Sequence, residues 1–161
     1  MSRGRRRSAA RLAAVQALYQ LDVAGGGAES VVGEFNRYRL GGEAEGARLV
    51  EAEPELFGDL VLGVTSRRAE IDERLDAILS DELPLAKLEL LIQAILRAGA
   101  YELLARQDID PPLTISEYVD VANSFFVRRE STMVNGVLDK LAREIRPDGM
   151  GDRPHGERSE A

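Results

Sequence analysis

Apolar residues recur at intervals of three and four along most of the chain, the period of helices that bury one face. Leu12, Val15, Tyr19 and Val23 trace one such stripe, with Leu18 beside it. Ser8 is a candidate cap for its start, and Gly25-Gly26-Gly27 ends it. Val31, Phe35 and Tyr38 mark a second helix from Ser30 to near Leu40. Residues 41–53 are rich in Gly, Ala and Glu and read as a flexible acidic loop. Pro54, a favourable first-turn residue, opens a long pattern through Phe57, Leu60, Val61, Val64, Ile71, Leu75, Ile78 and Leu79. After Pro84 comes the most apolar segment, Leu88, Leu91, Ile92, Ile95, Leu96, Gly99, Ala100, Leu103 and Leu104. A helix apolar nearly all round belongs at the centre of a fold. Gly99 and Ala100 would let a neighbouring helix come close, and Arg97 and Glu102 read as structural charges on this buried element.

Pro111-Pro112 predicts a rigid loop. Thr114 and Glu117 have capping-box spacing and predict a helix carrying Val119, Ala122 and Phe126. Arg128-Arg129-Glu130 reads as a polar connector, and Ser131 as the cap of a last helix that runs to near Ile145 before Pro147. No segment alternates as a strand does, so the prediction is an all-α single domain of six to seven helices. Residues 1–7 read as a flexible basic arm, 8–146 as the helical domain and 147–161 as a disordered tail.

The last helix contains a contradiction. Val134, Val137, Leu138 and Leu141 are spaced for a helix, yet Asn135-Gly136 is a strong hairpin dipeptide. A mid-helix glycine costs about 1 kcal/mol against alanine. Two explanations remain: another backbone packs against Gly136, or the pair faces a ligand. A tight crossing is the commoner of the two.

Composition then narrows the function. There is no cysteine, which removes disulfides, thiolate zinc sites and cysteine nucleophiles. The single histidine, His155, lies in the polar tail, so a histidine triad or metal cluster within one chain is excluded. No phosphate-binding loop follows a strand, no carboxylate pair stands out, and no cofactor is implied. No apolar run is long enough to span a membrane. The net charge is −7, but the only charged side chains before Asp22 are Arg3, Arg5, Arg6, Arg7 and Arg11. A basic end on an acidic body points to an anionic partner such as nucleic acid, since guanidinium forks match phosphate. A disordered solubility tail and a presequence are the alternative readings of the arginines; against the latter, the apolar face continues unbroken past residue 20.

Four fragments, in order, resemble the bacterial transcription antitermination family NusB: RRRSAARLAAVQALYQLD, FGDLVLGVTSRRAEIDERL, ILRAGAYELL and VNGVLDKLAREIRP. The resemblance covers roughly residues 5–147 and implies two helical subdomains packed across each other, in a non-enzymatic cytoplasmic protein. It implies binding of single-stranded boxA RNA together with the small-subunit ribosomal protein NusE, other Nus factors and RNA polymerase joining indirectly, in support of rRNA transcription. The implied RNA-binding residues are Arg5, Arg6, Arg7 and Arg11 for phosphates, Gln16 for a base, and Thr132 and Met133 at the start of the last helix. The family often has a basic residue and Phe where Thr132 and Met133 stand, with Arg128 and Arg129 as nearby compensation. The ISEYVDVAN stretch departs from the family's INEAxELAK, and Tyr118 and Glu130 are the candidate contacts for the protein partner. The alternatives are a purely protein-binding helical adaptor or homodimer, and an rRNA methyltransferase module, for whose α/β catalytic domain the chain has no room.

Overall fold

The computed structural model describes residues 2–41 and 52–151, with the side chains of 38–41 excepted. Most of the expected acidic loop, and the tail beyond residue 151 with His155, lie outside the described residues. Seven α-helices, with 3-10 turns at Leu85–Lys87 and Pro147–Gly149, make up the described secondary structure: α1 (Arg3–Ala24), α2 (Ala28–Gly41), α3 (Pro54–Ser66), α4 (Arg68–Ile78), α5 (Leu90–Ala105), α6 (Pro111–Phe125) and α7 (Arg128–Ile145).

Helix α5 is the axis of the fold, buried from Ile92 through Leu103 as its all-round apolar pattern predicts. It packs against α1 and α3 and also against α4, α6 and α7. Helices α1–α3 therefore form one subdomain and α4–α7 a second, with α5 facing both. Two glycines set the approach distances. A Cβ on Gly99 would come within 2.7 Å of Leu138 Cδ1, so α7 closes on α5 there, as the small residue suggested. A Cβ on Gly63 would collide with the Tyr101 ring, which keys α3 to α5. Phe35 stacks on Phe57 at 3.8 Å between centroids and fastens α2 to α3.

Charged side chains also join the subdomains. Arg97 donates through Nε and Nη2 to both oxygens of Asp72 at 2.8 and 3.1 Å, and through Nη1 to Asp22 at 3.3 Å. It thereby ties α5 to α4 and α1, the structural role expected for a charge on a buried helix.

Four boundaries differ from the sequence-based expectation. Helix α1 starts at Arg3 rather than after Ser8: Ser2 Oγ accepts from Arg5 N at 3.1 Å, and residues 3–7 are helical instead of a loose arm. The pattern from Pro54 to Leu79 breaks at Arg67, whose φ of −111° and ψ of 22° separate α3 from α4. Thr65 Oγ1 donates to the Val61 carbonyl at 2.8 Å and Ser66 Oγ to that of Gly63 at 3.3 Å, back-bonding of the kind that bends helices. Helix α6 starts at Pro111, with Asp110 at the cap position; prolines fit the first turn, where no N–H is required. Thr114 is instead buried inside α6. Finally, Arg128-Arg129-Glu130 is the first turn of α7 rather than a connector, and Ser131 Oγ donates to the Arg128 carbonyl.

Candidate nucleic-acid interface

The arginines of α1 divide by helical position. Arg3, Arg5 and Arg6 are exposed on the first turns, and no acidic residue shares the opening turn. Arg7 is half-buried with its Nε 3.5 Å from Glu53 Oε1, an ion pair beside the point where Glu53 N donates to the Arg6 carbonyl. Arg11 is only 2% exposed. It lies among Ala10, Ala14 and Val15 on the buried face. Its Nε and Nη2 donate to the two oxygens of Glu102 at 2.9 and 2.7 Å, and Nη1 donates to Glu117 at 3.0 Å. Burial disfavours its charge, but the Glu102 hydrogen bonds and field outweigh that and raise its pKa above the ordinary arginine value. Arg11 is thus removed from the expected phosphate-binding set.

Tyr118 is likewise corrected as a partner contact. It is fully buried, and its hydroxyl donates to Glu102 Oε1 at 2.8 Å. Burial first, and the neighbouring Glu102 charge next, push its pKa well above that of free tyrosine. Thr114 and Ser8 complete the network, with Ser8 Oγ donating to Glu117 at 2.6 Å. Glu130 is half-buried in the first turn of α7, and its Oε1 has no hydrogen-bond partner.

A groove runs between α1 and α6. At one end a cavity of about 310 Å³ is lined by Arg3, Gly4, Arg7, Asp108 and Leu113, with Arg11 at its floor. Glu117 is shared with a second cavity, of about 170 Å³, that continues past Ser8, Leu12 and Asp120 to Ser124. The groove therefore leads from the arginine end of α1 toward the α6–α7 junction. Its middle is not positive: Glu117 is held by Ser8 and Arg11, and Asp120 is exposed. Cations return at the junction, where Arg128 and Arg129 are exposed without an ion pair among the described residues.

The outer face of α7 continues from there through Thr132, Asn135 and Gly136, all exposed. A Cβ on Gly136 would meet nothing within 4 Å. No neighbouring helix requires this glycine, so the expected tight crossing is overturned, and the crossing sits at Gly99 instead. Met133 is only partly exposed and packs against the core. Gln16 is exposed on α1. Sequence reasoning left Arg3 out of the site set and did not place Asn135-Gly136 on the surface. The readable signal for the latter was that both fall off the apolar stripe of α7.

The NusB family model matches residues 8–143. A Bradyrhizobium transcription antitermination protein NusB is 49% identical over 148 residues, covering 92% of this chain and 88% of the relative. The protein of the same name from Brucella ovis is 45% identical over 149 residues, covering 92% and 87%. Among solved structures, T. maritima NusB is similar with a TM-score of 0.65 at 27% identity, covering 88% of this chain and 94% of that one.

Proposed function

The chain belongs to the NusB family of transcription antitermination proteins, and from that premise we propose that it binds boxA-type single-stranded RNA jointly with the ribosomal protein NusE to support rRNA transcription. The observation that carries this reading is the first turn of α1. A helix N-terminus already bears positive partial charge, and basic residues there are unfavourable by a few tenths of a kcal/mol unless an anion is supplied. Here the turn holds Arg3, Arg5 and Arg6 and no acid. Ser2 Oγ already caps the Arg5 N–H, and phosphates of a single strand would complement the rest of the helix N-terminus and the guanidinium groups of Arg3 and Arg5.

The face for the protein partner is a separate surface. Tyr118 is out of reach, but Leu83 and Leu90 are 47% and 40% exposed around the 3-10 turn between α4 and α5. Asp81, Glu82 and Glu89 are exposed beside them. An apolar patch rimmed by carboxylates suits a basic ribosomal protein.

The test is binding of a boxA-like oligonucleotide and a shuffled control, with and without NusE, across a salt series. With Arg11 withdrawn, three phosphates at α1 give an expected slope near −2, at about 0.7 per contact. R5A/R6A should flatten that slope without lowering the melting temperature of the free protein. Equal retention of matched and shuffled RNA in the presence of NusE overturns the reading, and a protein-only adaptor would be indifferent to R5A/R6A.

A further inference from the structure

The groove between α1 and α6 ends at a junction whose side chains face opposite ways. Phe126 turns in and packs against the core. Phe125 stays 40% exposed and Val127 71% exposed. Phe125 and Val127 thus leave two large apolar side chains open to solvent within one short stretch, available to a partner. The two residues that follow, Arg128 and Arg129, are exposed in the first turn of α7 and make no ion pair among the described residues. An open aromatic face next to uncommitted guanidinium groups is the combination that holds an unpaired nucleotide, ring on ring and cation on phosphate. The groove ends at Ser124, in the same last turn of α6 as Phe125, although Phe125 itself is not part of its lining. Met133, by contrast, spends its side chain on the core and offers little free surface.

We propose that Phe125 is a stacking platform for one unpaired base of the bound RNA, with Arg128 and Arg129 holding the phosphates that flank it. The proposal rests on the RNA-binding reading above and shifts the stacking contact expected at Met133 to Phe125, at the opposite end of α6 from the arginines of α1. Stacking is insensitive to salt and tolerant of base identity, whereas the flanking contacts are ionic. The two components therefore separate experimentally.

The experiment uses the full chain with NusE and a boxA-like RNA in which 2-aminopurine replaces one base at a time. For the wild-type protein, one position should change fluorescence on binding. F125L keeps an apolar side chain of similar size but loses the ring. It should lower RNA affinity about ten-fold at an unchanged salt slope and abolish the fluorescence change; F125W should restore both. R128A/R129A should reduce the slope by roughly 1.4, two contacts' worth. Thermal melts of each variant verify the fold. If F125L binds RNA as tightly as wild type, or if it weakens NusE binding while RNA binding is untouched, the stacking assignment is overturned and the RNA-binding reading stands. If the wild-type protein does not distinguish matched from shuffled RNA, both fall together.

Discussion

Arg11 and Glu102 form a two-pronged ion pair in the interior, 91 residues apart in sequence, with both side chains nearly inaccessible to solvent. Neither charge has water to fall back on, so each is tolerable only because of the other. Arg11→Ala would leave Glu102 with Tyr118 and Thr114 as its remaining partners. The expected loss is about 3–5 kcal/mol, read as a lower denaturant midpoint at constant m-value. Arg11→Lys should recover only part, because an ammonium cannot span both oxygens and also reach Glu117. RNA affinity of whatever fraction stays folded should be unchanged, the reverse of R5A/R6A.

Gly136 occupies an open helical position with nothing near it. Gly136→Ala should therefore stabilise the protein by up to about 1 kcal/mol, since alanine is the better helix former and no clash opposes it. If RNA approaches the α7 backbone here, the same methyl group should weaken RNA binding. Thermal melts and RNA titrations of this one variant should move in opposite directions.

Asp120 stands exposed in the groove, between the arginines of α1 and those of α7. A phosphate about 8 Å away across water would be repelled by about 0.5 kcal/mol. Asp120→Asn should tighten RNA binding by about two-fold at low salt, and the gain should vanish at high salt. An unchanged affinity would place the strand outside the α1–α6 groove.

Tyr101 donates to Asp59 Oδ1 at 2.6 Å, and burial first, then that bond, raises its pKa to about 12. A raised folded-state pKa contributes stability that is complete below the unfolded value near 10 and is lost as pH climbs through about 12. Stability should accordingly fall between these limits, and Tyr101→Phe should make the fall shallower. Tyr118, also raised, adds to the fall. Denaturant unfolding at stepped alkaline pH measures both.

Leu90 is proposed to meet the ribosomal partner and not the RNA. Leu90→Glu should weaken the complex with NusE and leave the salt slope for RNA alone untouched, as isothermal titration would report.

Local periodicity carried most of the architecture. The stripe Val134, Val137, Leu138 and Leu141 is buried as spaced, and the all-round apolar run of α5 is the central helix. Helix starts were less legible because Ser8, Thr114 and Ser131 are all good caps in isolation, while the fold engages the first in a tertiary hydrogen bond and the third in a local one. Ser8 donates to Glu117, and Ser131 turns back to a carbonyl of its own helix. Thr114 was bypassed because Pro111 suits an earlier start. At the site, charge alone could not divide five arginines into exposed and buried. What decides Arg11 is a carboxylate on α5, and no spacing within the N-terminal segment reports it. Gly136 failed for a related reason: a glycine says that a Cβ is absent and does not say whether a neighbour is present.

Helix α6 has a use beyond filling space. Its 15 residues span about 22 Å and rigidly fix the separation of two cationic ends. Neither end is strong by itself, and the stretch between them repels a polyanion. On the proposed RNA-binding reading, such a ruler would make the RNA a bivalent ligand, its second engagement governed by effective concentration. Oligonucleotides trimmed base by base should then lose avidity in a single cliff, at the length that no longer bridges both ends.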